Sequence, residues 1–227
     1  MKEVFLTIDG RKIIAAEGEK ILWAALKNGI YIPNLCAIRD KAEPSAACRL
    51  CFVEVEGGDE PVTACTEPVL EGMVVHTRKE MALRLARTSA ELLLASHPLD
   101  CGHCQKDRPC ELQKIAKHLG LKLKTNRLRR HERNLPIDES SSVFIYDPNK
   151  CVLCGRCVWV CREQLGIGAI GFTQRGFKRR VSTFENKPLA ESRCQQCVEC
   201  VKVCPVGALT FKNKRGLDTN PLSPPKF

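Results

Sequence analysis

Two stretches of this chain, CVLCGRCVWVC (Cys151 to Cys161) and CQQCVECVKVCP (Cys194 to Pro205), carry one spacing, C-x2-C-x2-C-x3-C. No other feature restricts the fold as tightly. Cysteines separated by two residues sit on a tight loop that can hold one edge of a [4Fe–4S] cube, while the fourth, one helical turn on, faces away towards a second cube. Each run therefore serves both cubes. One expected ligand set is Cys151, Cys154, Cys157 and Cys204; the other is Cys161, Cys194, Cys197 and Cys200. The first run ends Cys161-Arg162 where the second ends Cys204-Pro205, a departure that loosens the loop but leaves the ligands in place. Zinc-ribbon and disulfide readings compete with this one, but a repeated four-cysteine run suits neither as well.

The chain holds 15 cysteines, an odd number that cannot be divided into sites of four. Four more lie in residues 1–78, in a segment with its own pattern. Val4, Leu6 and Ile8 alternate, Asp9-Gly10 is a hairpin turn, and Lys12 to Ala15 return as a second strand. Glu19 to Asn28 reads as a helix with Ile21, Leu22, Ala25 and Leu26 on one face and Gly29 placed to stop it. Strands follow at CFVEVEG, PVTAC and MVVHT. Hairpin, helix and further strands suggest a β-grasp, ferredoxin-like module. Its cysteines, Cys36, Cys48, Cys51 and Cys65, are spaced C-x11-C-x2-C-x13-C, unlike the plant-type order, yet suited to a [2Fe–2S] site on loops of that fold. Zinc stays open here, because spacing alone does not exclude it.

Cys101, Cys104 and Cys110 remain, in HPLDCGHCQKDRPC, one ligand short. His103 lies between two ligands of a tight C-x2-C loop, where its side chain should point away from a metal. His97 follows an expected helix, Lys79 to Ser96, and Pro98 ends that helix so that the chain can turn back over the site. The expected set is His97, Cys101, Cys104 and Cys110, holding a third [4Fe–4S] cluster. A histidine at a helix end is ordinarily a surface or packing residue; here the otherwise complete assignment of cysteines outweighs that.

The formal charge of +10 counts every cysteine as neutral. If each all-cysteine cluster carries −2 and the histidine-containing one −1, the sum falls to about +3. What remains is local, chiefly LKLKTNRLRRHER at 121–133, with six basic residues and one acid. This is either a solvated connector or a docking face for an acidic partner. Without interleaved aromatics for stacking on bases, nucleic acid is not expected. No run approaches the roughly 18 to 20 apolar residues that span a bilayer, and the start, MKEVFLTIDG, lacks the apolar core of an export signal. A cytoplasmic protein with no membrane span is expected, where thiols are metal ligands more often than disulfides.

An H-x3-C-x2-C-x5-C segment between a C-x11-C-x2-C-x13-C module and a twin C-x2-C-x2-C-x3-C module resembles the N-terminal iron–sulfur part of the complex I large subunit. It is equally similar to the N-terminal arm of iron-only hydrogenases and to the short iron–sulfur subunit of NAD-linked hydrogenases, formate dehydrogenases and electron-bifurcating transhydrogenases. The likeness covers about residues 2 to 212 and every ligand position. It implies an electron wire to a flavin subunit that handles NAD(P)H, with a further redox subunit as second partner and ferredoxin as another candidate.

The expected architecture is therefore α+β: a β-grasp [2Fe–2S] domain at 1–78, a small helical His/Cys3 [4Fe–4S] domain with basic connector at 79–135, a twin [4Fe–4S] bacterial ferredoxin-like domain at 136–212, and a tail at 213–227. The expected cofactors are one [2Fe–2S] and three [4Fe–4S] clusters. No strand–GxGxxG–helix unit or GxxxxGK[ST] loop is present, and Gly166, Gly168 and Gly171 read as turns, so this chain is not expected to bind NAD, FMN or ATP. No residue is expected to act in bond-making catalysis. Because the sequence ends soon after the twin module, a separate hydrogen-activating or molybdopterin domain is not expected within it. The alternative is a small ferredoxin-like reductase that delivers electrons directly to a bound substrate. Hydrogen, formate and NADPH all remain possible ends of the wire.

Overall fold

The computed structural model describes residues 2–106, 110–124 and 127–212, arranged as two compact units. The first comprises Met1–Leu92 with Ile115–Lys122; the second takes Leu93–Lys114 and Leu123 onward. The tail expected at 213–227 lies outside the described residues.

The first unit is built on a five-stranded mixed sheet. Strands β1 (Glu3–Ile8) and β2 (Arg11–Ala16) form the expected hairpin, turning at Asp9 and Gly10, both at positive φ, the backbone that a two-residue primed turn needs. Alternation decides which face is inside: Val4, Leu6, Ile8, Ile13 and Ala15 are buried. Strands β3 (Phe52–Val55), β4 (Val62–Thr63) and β5 (Val74–His76) complete the order β2-β1-β5-β3-β4, with β1 and β5 parallel. All three are shorter than their hydrophobic runs suggested.

Helix α1 (Ile21–Lys27) packs on this sheet in the β-grasp manner. Its start has no side-chain cap; instead the Ile21 and Leu22 N–H groups donate to the Glu67 and Ala64 carbonyls at 2.9 and 2.8 Å. Leu26, expected on the buried face, is only partly covered, and Ala24 is fully buried in its place. Gly29, at positive φ, ends the helix as expected.

Helix α2 (Glu80–Ala95) follows the expected range within one residue at each end. It buries Ala82, Ala86, Ala90 and Leu94, a strict four-residue stripe. Within the first unit its start is capped from the sheet, where the Glu54 carboxylate accepts from the Ala82 N–H at 3.1 Å. Helix α3 (Glu111–His118), which the sequence reading did not propose, buries Leu112, Ile115 and Ala116.

The second unit contains two small antiparallel pairs. β6 (Phe144–Tyr146) pairs with β9 (Leu209–Phe211), and β7 (Gly171–Thr173) pairs with β8 (Arg180–Ser182). Gly166 and Gly168 take the positive φ of turns, but Gly171 does not: it opens β7 and faces Ser182. One-turn helices α4 (Arg156–Trp159) and α5 (Glu199–Lys202) lie inside the two cysteine runs.

Candidate iron–sulfur sites

The sequence repeat is also a backbone repeat. The third and fifth residues of each run, Leu153 and Gly155 in one, Gln196 and Val198 in the other, all have positive φ, between 53° and 79°. Such turns coil the chain so that N–H groups face inward. The Leu153 N–H donates to Cys151 Sγ at 3.4 Å. Beyond this loop the runs diverge for a reason visible in sequence. Pro205 cannot continue a helix, so α5 ends before Cys204. Arg162 imposes no such stop, and the first run continues through a wider π-helical turn, Val160–Gln164, that carries Cys161. The Ala169 N–H then donates to Cys161 Sγ at 3.3 Å.

Two cavities lie against these loops. Cys161, Cys194, Cys197 and Cys200 line one, with Phe144, Leu165 and Ile167 among its apolar walls. Cys151, Cys154, Cys157 and Cys204 line the other. Tyr146, Val181 and Leu209 border both and so form the partition. Tyr146, which the sequence reading overlooked, donates its hydroxyl to the Val181 carbonyl at 2.8 Å, and burial pushes that hydroxyl's pKa up. Burial likewise pushes the thiols of Cys154 and Cys200 up to about 12, and that of Cys157 well up. A bare thiolate is therefore unfavourable in these pockets and needs a cationic centre beside it. Soft sulfur donors in groups of four, around dry cavities, fit iron–sulfur cores.

In the first unit Cys36, Cys48, Cys51 and Cys65 are all buried. They form two close pairs. Hydrogen bonding to Cys48 drives the Cys36 thiol up, and the same contact lowers Cys48; hydrogen bonding to Cys65 drives Cys51 up and lowers Cys65. The Cys48 N–H also donates to Cys36 Sγ at 3.4 Å. Arg49, at positive φ, turns the Cys48-x2-Cys51 loop at the position that Gly155 and Val198 hold in Cys154-x2-Cys157 and Cys197-x2-Cys200.

The two histidines of the middle segment have opposite surroundings. His103 is 89% exposed and its Nδ1 pairs with Asp100 at 2.9 Å. His97 is 8% exposed, and its Nδ1 is buried without a hydrogen-bond partner. Burial depresses its pKa to about 4, so the ring is neutral and able to donate a lone pair. An orphaned, neutral, buried nitrogen fits a metal ligand. Cys101, Cys104 and Cys110 are half-buried, and 107–109 between the last two lie outside the described residues. Cys104 approaches the second run closely: a Cβ on buried Gly207 would stand 2.7 Å from Cys104 Sγ. Lys106 Nζ donates to the Cys204 carbonyl at 2.6 Å, and the Glu111 N–H to that of Pro205 at 3.3 Å. Gly207 and Lys106 were not singled out in the sequence.

A 2Fe–2S iron–sulfur cluster binding domain matches residues 1–80, an NADH-ubiquinone oxidoreductase-G iron–sulfur binding region matches 87–124, and the ferredoxin-like domain of NADH-quinone oxidoreductase subunit 3 matches 143–210. A crystal structure of an NAD+-reducing [NiFe]-hydrogenase superposes with a TM-score of 0.82 and 31% identity, covering 96% of this chain and 90% of that one. The chain belongs to the iron–sulfur subunit family of complex I and NAD+-reducing hydrogenases. Two curated members are the alpha subunit of the NADPH-Fe(3+) oxidoreductase of Geobacter sulfurreducens, 40% identical, and the HndD subunit of the NADP-reducing hydrogenase of Solidesulfovibrio fructosivorans, 36% identical. Each match covers 92% of this chain but only 24% and 36% of those proteins. The iron–sulfur subunit family combines [2Fe–2S] and [4Fe–4S] binding domains, as this chain does. No helix among the described residues is long and apolar enough to cross a membrane.

Proposed function

We propose that this chain relays single electrons within a multi-subunit NAD(P)-linked oxidoreductase, between a flavin-bearing subunit that handles the nicotinamide and a second redox subunit in the cytoplasm. The observation that supports this most is the pair of cavities, each walled by four cysteines drawn crosswise from both runs, with Tyr146, Val181 and Leu209 lining both. Redox centres in adjoining pockets can exchange electrons without diffusing reductant. In the full reading Cys36, Cys48, Cys51 and Cys65 hold a [2Fe–2S] cluster. His97, Cys101, Cys104 and Cys110 hold a [4Fe–4S] cluster, and the crossed sets Cys151/Cys154/Cys157/Cys204 and Cys161/Cys194/Cys197/Cys200 hold two more, in modules bounded near residues 78 and 135.

When bound, the clusters supply one-electron chemistry. The chain's own residues do the rest. Backbone N–H groups of Leu153 and Ala169 hydrogen-bond the sulfurs and disperse their charge. Phe144, Leu165 and Leu209 keep water from one pocket, and low dielectric combined with sulfur hydrogen bonds sets the potential. Single-electron storage complements a flavin, which splits the hydride pair of a nicotinamide.

The test is iron and sulfide analysis with paramagnetic resonance on anaerobically purified protein, followed by NADH-driven bleaching with and without the flavin subunit. About 14 irons per chain and bleaching only in the assembled complex are expected. Stoichiometric zinc, or catalytic nicotinamide turnover by the chain alone, overturns the reading.

A further inference from the structure

Between the two cysteine runs the chain inserts the β7–β8 hairpin, and its two ends have contrasting surroundings. At the inner end, Val181 is 2% exposed and borders both cysteine-lined cavities. The Phe172 ring lies 3.4 Å from the place a Cβ would occupy on Gly155, directly beside Cys154. At the outer end, the turn Gly176–Lys178 presents Phe177, 85% exposed. An aromatic ring displayed on a hydrogen-bonded turn loses contact with water only when something covers it.

The surroundings of Phe177 state what that something is. Residues 171–193 carry six basic side chains against two acidic ones, and Arg175, Lys178 and Arg179 flank the ring in sequence, all exposed. The Arg179 guanidinium stacks on Phe172 at 4.1 Å, which fixes its direction. The His131 ring packs against Phe177 at 5.2 Å and brings up the exposed Arg129 and Arg130 of the basic segment. Arg133 in that segment is committed elsewhere, donating to the Pro148 and Cys151 carbonyls. The basic stretch is thus anchored beside the Cys151 loop through Arg133 and meets Phe177 through His131, next to which Arg129 is exposed and Arg130 pairs with Glu132 at 3.5 Å. An aromatic anchor within a cationic rim has the make-up of a protein-binding hot spot, and it selects an acidic counter-surface.

We propose that the tip of the β7–β8 hairpin, with Phe177 as anchor and Arg175, Lys178, Arg179, Arg129 and Arg130 as rim, docks an acidic, apolar-centred face of a redox partner subunit. This rests on the electron-relay reading, since the hairpin connects the docked surface to the wall of both cluster cavities. Phe177 is the one ring at the tip, since Phe172 lies under the Arg179 guanidinium and Phe184 past the opposite end of the hairpin, so nucleic acid, which requires successive rings for stacking, fits less well.

The test compares the intact chain, clusters loaded, with the native complex isolated from its own cells. In the complex, amides 174–180 should exchange at least tenfold more slowly, and carbodiimide should join Lys178 to an Asp or Glu of a subunit carrying a redox group. Phe177→Ala, and separately the pair Lys178→Glu with Arg179→Glu, should raise the dissociation constant of that subunit at least tenfold, about 1.4 kcal/mol, with iron content unchanged. Phe184→Ala is the control, because Phe184 is 82% exposed but lies past the opposite end of the hairpin. Unchanged exchange, cross-links to a second copy of the chain, protection by duplex DNA in place of protein, or an equal effect of Phe184→Ala each overturns the proposal. An unprotected tip in a complex whose clusters are reduced normally by NADH sinks the docking surface alone; clusters that stay oxidised sink the relay reading.

Discussion

Gly207→Ala should remove one cluster and leave the other three. Gly207 has no unusual φ, so the demand on this position is for space alone. An added Cβ would stand 2.7 Å from Cys104 Sγ, 3.4 Å from Lys106 Cβ and 3.6 Å from Lys150 Cδ. Ordinary van der Waals contact begins at 3.4 Å, so the sulfur must retreat by at least the difference, 0.7 Å. Metal–ligand distances tolerate about 0.2 Å, and overpacking a buried site costs about 1–3 kcal/mol. Cys104 should therefore be lost as a ligand, with iron falling from about 14 to about 10 per chain and one [4Fe–4S] signal vanishing from the reduced spectrum. Gly102→Ala, in the same loop but with nothing within 4 Å of its Cβ position, should keep full iron. If Gly207→Ala binds all its iron and shows an unshifted spectrum, either Cys104 is not a ligand or the 2.7 Å approach does not constrain it.

Three further outcomes are expected. His97→Cys should keep its cluster but lower the midpoint potential, because thiolate adds charge where neutral imidazole stood; each 60 mV, about tenfold in a one-electron equilibrium, is resolved by redox titration. His97→Ala should cost the cluster while His103→Ala does not, and the reverse result would discard His97. Cys204→Ser should damage the cube of Cys151, Cys154 and Cys157, and Cys161→Ser that of Cys194, Cys197 and Cys200; spectra showing damage confined to each run's own cube would exclude crossed ligation. Gly155→Val should lower stability by about 1–3 kcal/mol in thermal unfolding, because Gly155 combines a φ of +79° with a phenylalanine ring 3.4 Å from its Cβ position.

The parts legible in the sequence were those fixed by neighbours along the chain. Cysteines two residues apart specify a tight loop, and the loops at Cys48, Cys151 and Cys194 each contain a residue at positive φ. The alternation of Val4, Leu6 and Ile8 and the stop at Gly29 are likewise local, and both appear as expected. Even the contrast of Arg162 with Pro205 was readable, although its outcome, a π-helical turn holding Cys161, was not. Leu26 yielded the buried face of α1 to Ala24 because the sheet, not the periodicity, decides how closely a helix approaches it.

What tertiary structure alone decided involves partners far apart in sequence. The sequence already favoured His97 over His103 as the fourth donor; what tertiary structure adds is the burial of the one and the exposure of the other. Nothing near Gly207 in the chain announces that Cys104, 103 positions earlier, lies against it. Tyr146 looks like any strand aromatic until Val181 closes over its hydroxyl and the pair becomes the wall between two cavities. Ligand chemistry is carried by residue type and short spacing, which a sequence states directly. The distances and dielectric between centres come from close packing of remote segments, and these exist only once the chain has folded.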